Sequence, residues 1–302
     1  MFDEKSAIRK KTDNTRIGVL KRVEAELNEA GFESSGCEAE ILLCHFLELR
    51  KVDLFFDPDV CIDDGILDRI NKAVAERIKN IPLQYIVGSA YFYGLELGVE
   101  PGVFIPRPET EVLVERLIEL ACKEFSNSLK ILELCTGSGN IPVALTKNIH
   151  YCKIISSDIS SDALRVARQN AVRNGLAGRI EFVQGDLFEA VREELKGNGF
   201  DWIIANPPYI DINSMLELPL DVYFEPSQAL LGGADGLDFY RRIIADAGTY
   251  LRPKGYIAFE FGDDQRARIE QIISFSRMFD KIEFFTDLNG IYRFVIARRA
   301  NG

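Results

Sequence analysis

The sequence predicts a doubly wound α/β fold, a mostly parallel seven-stranded sheet, preceded by a small helical domain and joined to it by a β-hairpin. Three observations predict it. From residue 109 onward, short apolar runs alternate with amphipathic stretches of about ten to fifteen residues, as strands joined by crossover helices do. Before residue 80 the apolar residues recur at helical spacing. Between these regions, residues 88–104, GSAYFYGLELGVEPGVF, alternate aromatic or aliphatic side chains with glycine-bearing turns, as a hairpin does. The expected boundaries are a helical substrate-docking domain at 1–80, a linker with the hairpin at 81–108, and the α/β domain at 109–302.

In the helical domain, Ile17, Leu20, Val23 and Leu27 form one apolar stripe that stops at Gly31. Residues 39–49 are densely apolar, and Ile66, Leu67, Ile70, Val74 and Ile78 follow Asp63 and Asp64, two candidate caps. In the α/β domain, ETEVLVERLIELACKEF reads as a helix begun by Pro108, with Glu109 and Glu111 in its first turn favouring the helix dipole. KILELC is a buried strand, KIISSD a second strand, DALRVARQNAVRN a helix, and IEFVQ, DWIIAN and YIAFEF further strands. KIEFFTD and YRFVIAR close the chain as a pair of strands.

Composition narrows the function classes. With 47% hydrophobic and 27% charged residues over 302, the chain can bury one large core or two smaller ones. MFDEKSAIRKKTDNTR is polar from its first residues, and nowhere do about eighteen apolar residues run together, so a cytoplasmic protein without a membrane role is expected. Cys37, Cys44, Cys61, Cys122, Cys135 and Cys152 form no C-x-x-C pair and the histidines are only His45 and His150, so reduced, buried thiols and no metal site are expected. Against 36 basic residues stand 47 acidic ones, and the net charge of −11 disfavours direct nucleic-acid binding while suiting a protein partner or a small molecule.

In a doubly wound sheet, ligands bind beyond the carboxyl ends of the strands. After the first strand comes ELCTGSGNIPVAL, where Gly137 and Gly139 permit a tight turn and close approach of a ligand, and Pro142 fits the first turn of the next helix. Asp158 ends the second strand roughly 20 residues beyond the glycines, where a carboxylate can accept both hydroxyls of a ribose. Asp186 ends the third, placed to accept from an adenine amino group, with Leu187 packing on the ring or offering its N–H. The turn is not G-x-G-x-x-G and no P-loop lysine follows, so an adenosine ligand without phosphates fits better than a nucleotide. S-adenosyl-L-methionine is the leading candidate, its ribose on Asp158 and its carboxylate near the amides of the turn.

The fourth strand ends in FDWIIANPPYI. The Asn206 side-chain carbonyl and the Pro207 backbone carbonyl are two adjacent acceptors, able to hold both hydrogens of a planar NH2 group and aim its nitrogen at a methyl donor. Holding those hydrogens also favours the positive charge that develops on the nitrogen, so no strong base is required. The prolines stiffen the turn, and Tyr209 offers a face for a planar amide or base. Glutamine and adenine satisfy this acceptor pair equally well.

On IPLQYIVG, YFYGLELGVEPGVFIPRPETEVLVE, CTGSG, FDWIIANPPYI, EPSQALLGGADGLDFYRRI and LRPKGYIAFEFGDDQ, the sequence resembles the protein-(glutamine-N5) methyltransferases of class-1 peptide chain release factors, the HemK or PrmC family, from about residue 77 onward. The PGVFIPRPETE and EPSQALLGGADGL blocks set it apart from nucleic-acid methyltransferases that share the asparagine motif. The resemblance implies a Rossmann-like class I methyltransferase and a cofactor site of Cys135, Thr136, Gly137, Ser138, Gly139, Asp158, Asp186, Leu187 and Asn206. It implies that Asn206, Pro207, Pro208 and Tyr209 bind the substrate glutamine of a Gly-Gly-Gln motif, with Asn206, Pro207 and Tyr209 the catalytic set and the IPRPETE stretch lying over cofactor and target. S-adenosyl-L-homocysteine would be the product, a release factor the partner, and a monomer the acting form. Cys135 stands where that family commonly has glycine, Leu187 where it sometimes has an aromatic, and Ile291 and Tyr292 separate its D-L-x-G from Arg293. Glutamine methylation of a large-subunit ribosomal protein, adenine-N6 methylation of nucleic acid, and a non-catalytic module of the same fold are the alternatives.

Overall fold

The computed structural model describes residues 14–191 and 199–301. The polar opening stretch, residues 1–13, lies outside them, and so does the expectation of a missing leader that rests on it. The chain divides into two compact units, the first ending at Gly88 and the second starting at Ser89.

The first unit holds helices α1 (Arg16–Glu29), α2 (Ser35–Leu47), α3 (Lys51–Phe56), α4 (Asp64–Ile78) and α5 (Leu83–Val87). Its core takes most of the apolar stripes read from the sequence, with Val19, Val23, Leu27, Leu42, Leu43 and Ile70 out of contact with water, while Ile78, expected at the end of the last stripe, is 42% exposed. Of the two candidate caps, Asp63 takes the role, accepting from the Gly65 N–H at 2.8 Å. Arg77 of α4 grips Glu38 of α2 through both carboxylate oxygens, at 2.6 and 3.1 Å, and stacks on Phe32, so the buried charge is both paired and covered.

The second unit begins with a hairpin, β1 (Ser89–Phe92) and β2 (Leu95–Gly98), and continues α6 (Thr110–Glu124), β3 (Leu129–Leu134), α7 (Asn140–Asn148), β4 (Cys152–Asp158), α8 (Ser161–Arg173), β5 (Ile180–Gln184), β6 (Phe200–Ala205), α9 (Asp238–Tyr250), β7 (Leu251–Glu260), α10 (Arg266–Phe275), β8 (Phe279–Thr286) and β9 (Tyr292–Arg299). The large sheet has the order β5-β4-β3-β6-β7-β9-β8. Neighbours from β5 through β7 run parallel, and β9 runs antiparallel to both β7 and β8. The order reverses between β3 and β6, the two strands at the centre.

Side-chain alternation sorts these strands into two core layers. Ile131, Trp202 and Ile204 pack on one face with Leu113 and Leu117 of α6 and Val143 of α7. Leu132, Leu134 and Ile203 pack on the other with Tyr240, Ile243 and Ala247 of α9 and Ile269 of α10. Each buried Leu or Ile of this kind stabilises the fold by ~1.5–3 kcal/mol, and the layers fix the strand ends from both sides.

The hairpin belongs to this second unit. Gly98 and Asn170 of α8 exchange hydrogen bonds of 2.6 and 3.0 Å, and Asn170 also donates to the Ser138 carbonyl at 2.9 Å. One asparagine thus ties the hairpin to the glycine turn. The first turn of α6 differs from its sequence expectation: the helix starts at Thr110, and Glu109 occupies the N-cap without a side-chain cap bond. Glu111 does lie in the first turn, where it also accepts from the Tyr93 N–H at 2.9 Å and so anchors the hairpin.

None of the six cysteines is in a disulfide, but only Cys152 is buried, while Cys37, Cys61 and Cys122 are exposed. The expectation of buried thiols fails for these three because apolar neighbours in the chain do not decide which face of a helix or loop a side chain occupies. No described helix is long and apolar enough to cross a membrane.

Candidate active site

Register assembles the site. Leu134 of β3 pairs with Ser157 of β4 and with Ala205 of β6, and Ala205 pairs in turn with Phe259 of β7. The next residues, Cys135, Asp158, Asn206 and Glu260, therefore leave the sheet side by side at the point where the strand order reverses, the usual ligand crevice of such sheets. A cavity of about 490 Å³ opens there, within the range of small-molecule sites. Its lining includes Cys135, Thr136, Gly137, Asp158, Asp186, Leu187, Asn206, Pro207, Pro208 and Tyr209. Ser138 and Gly139 lie behind it. Ser138 is 1% exposed, and Gly139 serves packing, since a Cβ on it would stand 2.9 Å from the Cβ of Ala167.

Hydrogen bonds close the glycine turn on itself. The Thr136 N–H donates to the Ser157 carbonyl at 3.0 Å and the Gly139 N–H to the Thr136 carbonyl at 2.9 Å. Gly137 and Gly139 have φ of 55° and 80°, the left-handed region, and Cys135 adopts 61°. A residue with a Cβ pays roughly 1–2 kcal/mol there, so a glycine at position 135 would relieve strain. Leu187, at φ 50°, is held the same way.

Asp158 accepts from the Gly137 N–H at 2.8 Å and from the Ser160 N–H at 2.9 Å, one bond to each oxygen. Burial pushes its pKa above the ordinary carboxylate value while these amides pull it back. Each oxygen keeps a second lone pair for a hydroxyl. Asp186 is less open than its sequence assignment implies, because one of its oxygens accepts from Arg242 Nη2 of α9 at 2.7 Å.

The asparagine turn is braced from three directions. The Ile210 N–H donates to Leu230 at 2.9 Å and the Gly232 N–H returns to Ile210 at 2.8 Å. The Gln265 side chain donates to the Tyr209 carbonyl at 2.7 Å while its own oxygen accepts from the Gly262 N–H at 3.0 Å. Gly236, at φ 74°, passes so close that a Cβ would meet the Tyr209 carbonyl oxygen at 2.3 Å. The LLGGADG and EFGDDQ stretches are thus the clamp of the turn. Burial, and next the carboxyl of Glu260, raises the Tyr209 pKa far above its usual value, so the hydroxyl stays protonated.

Behind Asn206 lies a polar cluster. Thr110 Oγ1 donates to Glu260 Oε2 at 2.6 Å, and Asn206 Nδ2 faces Thr110 Oγ1 at 3.5 Å. Glu260 is 1% exposed, and burial pushes its pKa up to about 7 against the pull of Thr110, Arg293 and Asn206. One further wall joins the two diagnostic sequence blocks: Glu225 pairs with Arg107 and accepts from the Ile105 N–H at 3.0 Å. Phe104 and Arg107, from the PGVFIPRPETE block, and Pro226 and Gln228, from the other, all line the cavity.

Several of these residues escape a sequence reading. Arg107 belongs to the IPRPETE stretch that the resemblance sets over cofactor and target, whereas Arg242 sits inside a quoted motif without any signal that it faces a ligand. Glu260 had one: it ends the YIAFEF strand, and the strand-end rule that singles out Asp158 points to it equally.

Residues 18–88 match the model of the PrmC N-terminal domain and residues 125–287 that of a methyltransferase domain. The release factor glutamine methyltransferase of Thermodesulfovibrio yellowstonii is 37% identical over 265 residues, covering 87% of this chain and 92% of the relative. That of Bacillus subtilis is 36% identical over 286 residues, covering 94% and 97%. The hMettl16 catalytic domain, solved with an RNA hairpin, shares the fold alone, with a TM-score of 0.53 at 15% identity over 80% of this chain and 83% of that one. From the glycine turn to the braced asparagine, and across nearly its whole length, the chain belongs to the release factor glutamine methyltransferase family.

Proposed function

We propose that the chain transfers a methyl group from S-adenosyl-L-methionine to the side-chain amide nitrogen of the glutamine in the Gly-Gly-Gln motif of a class-1 peptide chain release factor. The observation that carries this reading is the placement of Asn206 and Pro207 on a rigid turn one strand away from the glycine turn, in a chain of this family.

The donor set suits the cofactor. Asp158 offers two buried acceptors for ribose hydroxyls, the Cys135–Gly137 turn offers backbone beside them, and Leu187 with the remaining oxygen of Asp186 suits an adenine. When bound, S-adenosyl-L-methionine supplies an electrophilic methyl on a sulfonium and leaves as S-adenosyl-L-homocysteine. Asn206 Oδ1 and the Pro207 carbonyl hold the two amide hydrogens and point the nitrogen at that methyl. As the N–C bond forms and the C–S bond breaks, the nitrogen turns positive, and the two acceptors favour that charge until a proton leaves to water. Tyr209, kept neutral, contributes a face to the amide plane rather than a base.

The helical unit up to Gly88 serves as the docking domain for the body of the factor, and the acidic balance of −11 suits a protein substrate better than naked nucleic acid. Incubation with methyl-labelled cofactor and a purified release factor tests the reading. The wild-type factor should take up label, and one with its motif glutamine changed to alanine should not. Equal labelling of the two, or labelling of a ribosomal protein or DNA instead, would defeat it.

A further inference from the structure

A site that accepts a glutamine must tell an amide from a carboxylate of the same shape. The polar cluster behind Asn206 supplies a means. Thr110, the first residue of α6, is fully buried, and its hydroxyl has one proton, which it gives to Glu260 at 2.6 Å. Its oxygen is then left only to accept. Asn206 Nδ2 faces that oxygen at 3.5 Å, and the Asn206 side chain also favours the charged form of Glu260. Both groups behind the amide are acceptors, so only its NH2 end can face them. Turning the amide over would set Oδ1 against a hydroxyl oxygen and a carboxylate, with no donor for it. Because the Thr110 contact is long, the orientation is held by the polarity of the cluster more than by one strong bond.

We propose that Glu260, acting through Thr110, is a positioning residue that fixes the Asn206 amide with its oxygen toward the cavity, so that the site selects a primary amide over a carboxylate. This rests on the reading that Asn206 receives the acceptor nitrogen. An incoming NH2 finds two acceptors, Oδ1 and the Pro207 carbonyl, whereas a carboxylate meets two repelling oxygens. Glu260 is itself held in place, since Tyr240 of α9 donates to its backbone carbonyl at 2.7 Å.

The lock depends on the charge of Glu260. Burial raises its pKa to about 7; Thr110, Arg293 of β9 and Asn206 favour the carboxylate, Glu109 opposes it, and Tyr209 and Tyr240 remain protonated beside it. Once protonated, the carboxyl can donate, the Thr110 hydroxyl is released to donate toward Asn206, and the amide is free to turn. Turnover should therefore rise with pH through about 7.

The test uses Glu260→Gln, Thr110→Val and Thr110→Ser in the full chain, with a release factor carrying its motif glutamine and the same factor with glutamate there. Glu260→Gln and Thr110→Val should lower kcat ~10-fold or more with little change in cofactor affinity measured by calorimetry. Both should also bind the glutamate form more tightly than the wild-type enzyme does, Glu260→Gln should lose the acid limb near pH 7, and Thr110→Ser should behave as wild type. Unchanged kcat and unchanged discrimination in both variants would overturn the proposal. So would a parallel fall in cofactor affinity and melting temperature with discrimination intact, the sign of a merely structural role. A wild-type enzyme that leaves the glutamine unmethylated would instead defeat the reading beneath it.

Discussion

At the scale of single residues, the site divides its work between groups that touch ligands and groups that aim them. On the proposed function Asp158 is on the first side: one oxygen is bonded to the glycine-turn amide and the other to the Ser160 amide, which leaves its remaining lone pairs for a ribose. Asp158→Ala should weaken cofactor binding by ~10-fold or more while leaving the rate at saturating cofactor far less affected, as loss of a charge-assisted hydrogen bond would. Titration calorimetry checks the first part and saturating kinetics the second. A loss confined to kcat would reassign the residue. Cys135 shows the limit of residue-level inference, because its thiol borders the cavity, yet burial and the carboxyl of Asp158 push its pKa up and keep it a neutral wall rather than a nucleophile.

At the scale of elements, the rule that ligands bind at strand ends singled out four positions in the sequence, and register lines up the strand ends: strands paired Leu134 to Ala205 and Ala205 to Phe259 bring their following residues into one line. The braces were not legible. Gly232, Gly236 and Gln265 reach the asparagine turn from chain segments remote in sequence, and nothing in local periodicity tells that Gly232 lies against the Pro208 carbonyl and Gly236 against that of Tyr209. The same limit hid the Glu225 link and the anchor that Glu111 gives the hairpin. Gly236→Ala tests the clamp. With φ at 74° and a backbone oxygen 2.3 Å from the new Cβ, it should lower kcat and the melting temperature together, because the turn must move. Normal activity and stability would mean that the turn is held by the prolines alone.

At the scale of the whole molecule, two buried carboxyls tie stability to pH. Glu133, 1% exposed beneath the glycine turn, has its pKa pushed by burial from 4.5 to about 8, and Glu260 moves the same way to about 7. Each binds its proton more tightly folded than unfolded, so the stability it contributes is complete below about 4.5 and is lost as pH rises toward 7 and 8. Glu133→Gln, which removes one of these titrations, should melt higher than wild type by at least ~2 °C at pH 8, with the difference shrinking toward pH 5. A difference independent of pH would contradict the assignment of a raised pKa. The division into a helical unit and an α/β unit was plain from the change of periodicity, but the hairpin's membership was not, since it depends on Asn170 bonding Gly98 and Ser138 across the fold.

The central claim is that Asn206 and Pro207 catalyse by holding the acceptor nitrogen and leave cofactor binding to the glycine turn and Asp158. Measuring turnover and cofactor affinity of Asn206→Ala on a release factor tests it most directly. A fall in kcat of ~10²-fold or more with cofactor affinity nearly unchanged is the predicted result, and a near-normal kcat would contradict the account.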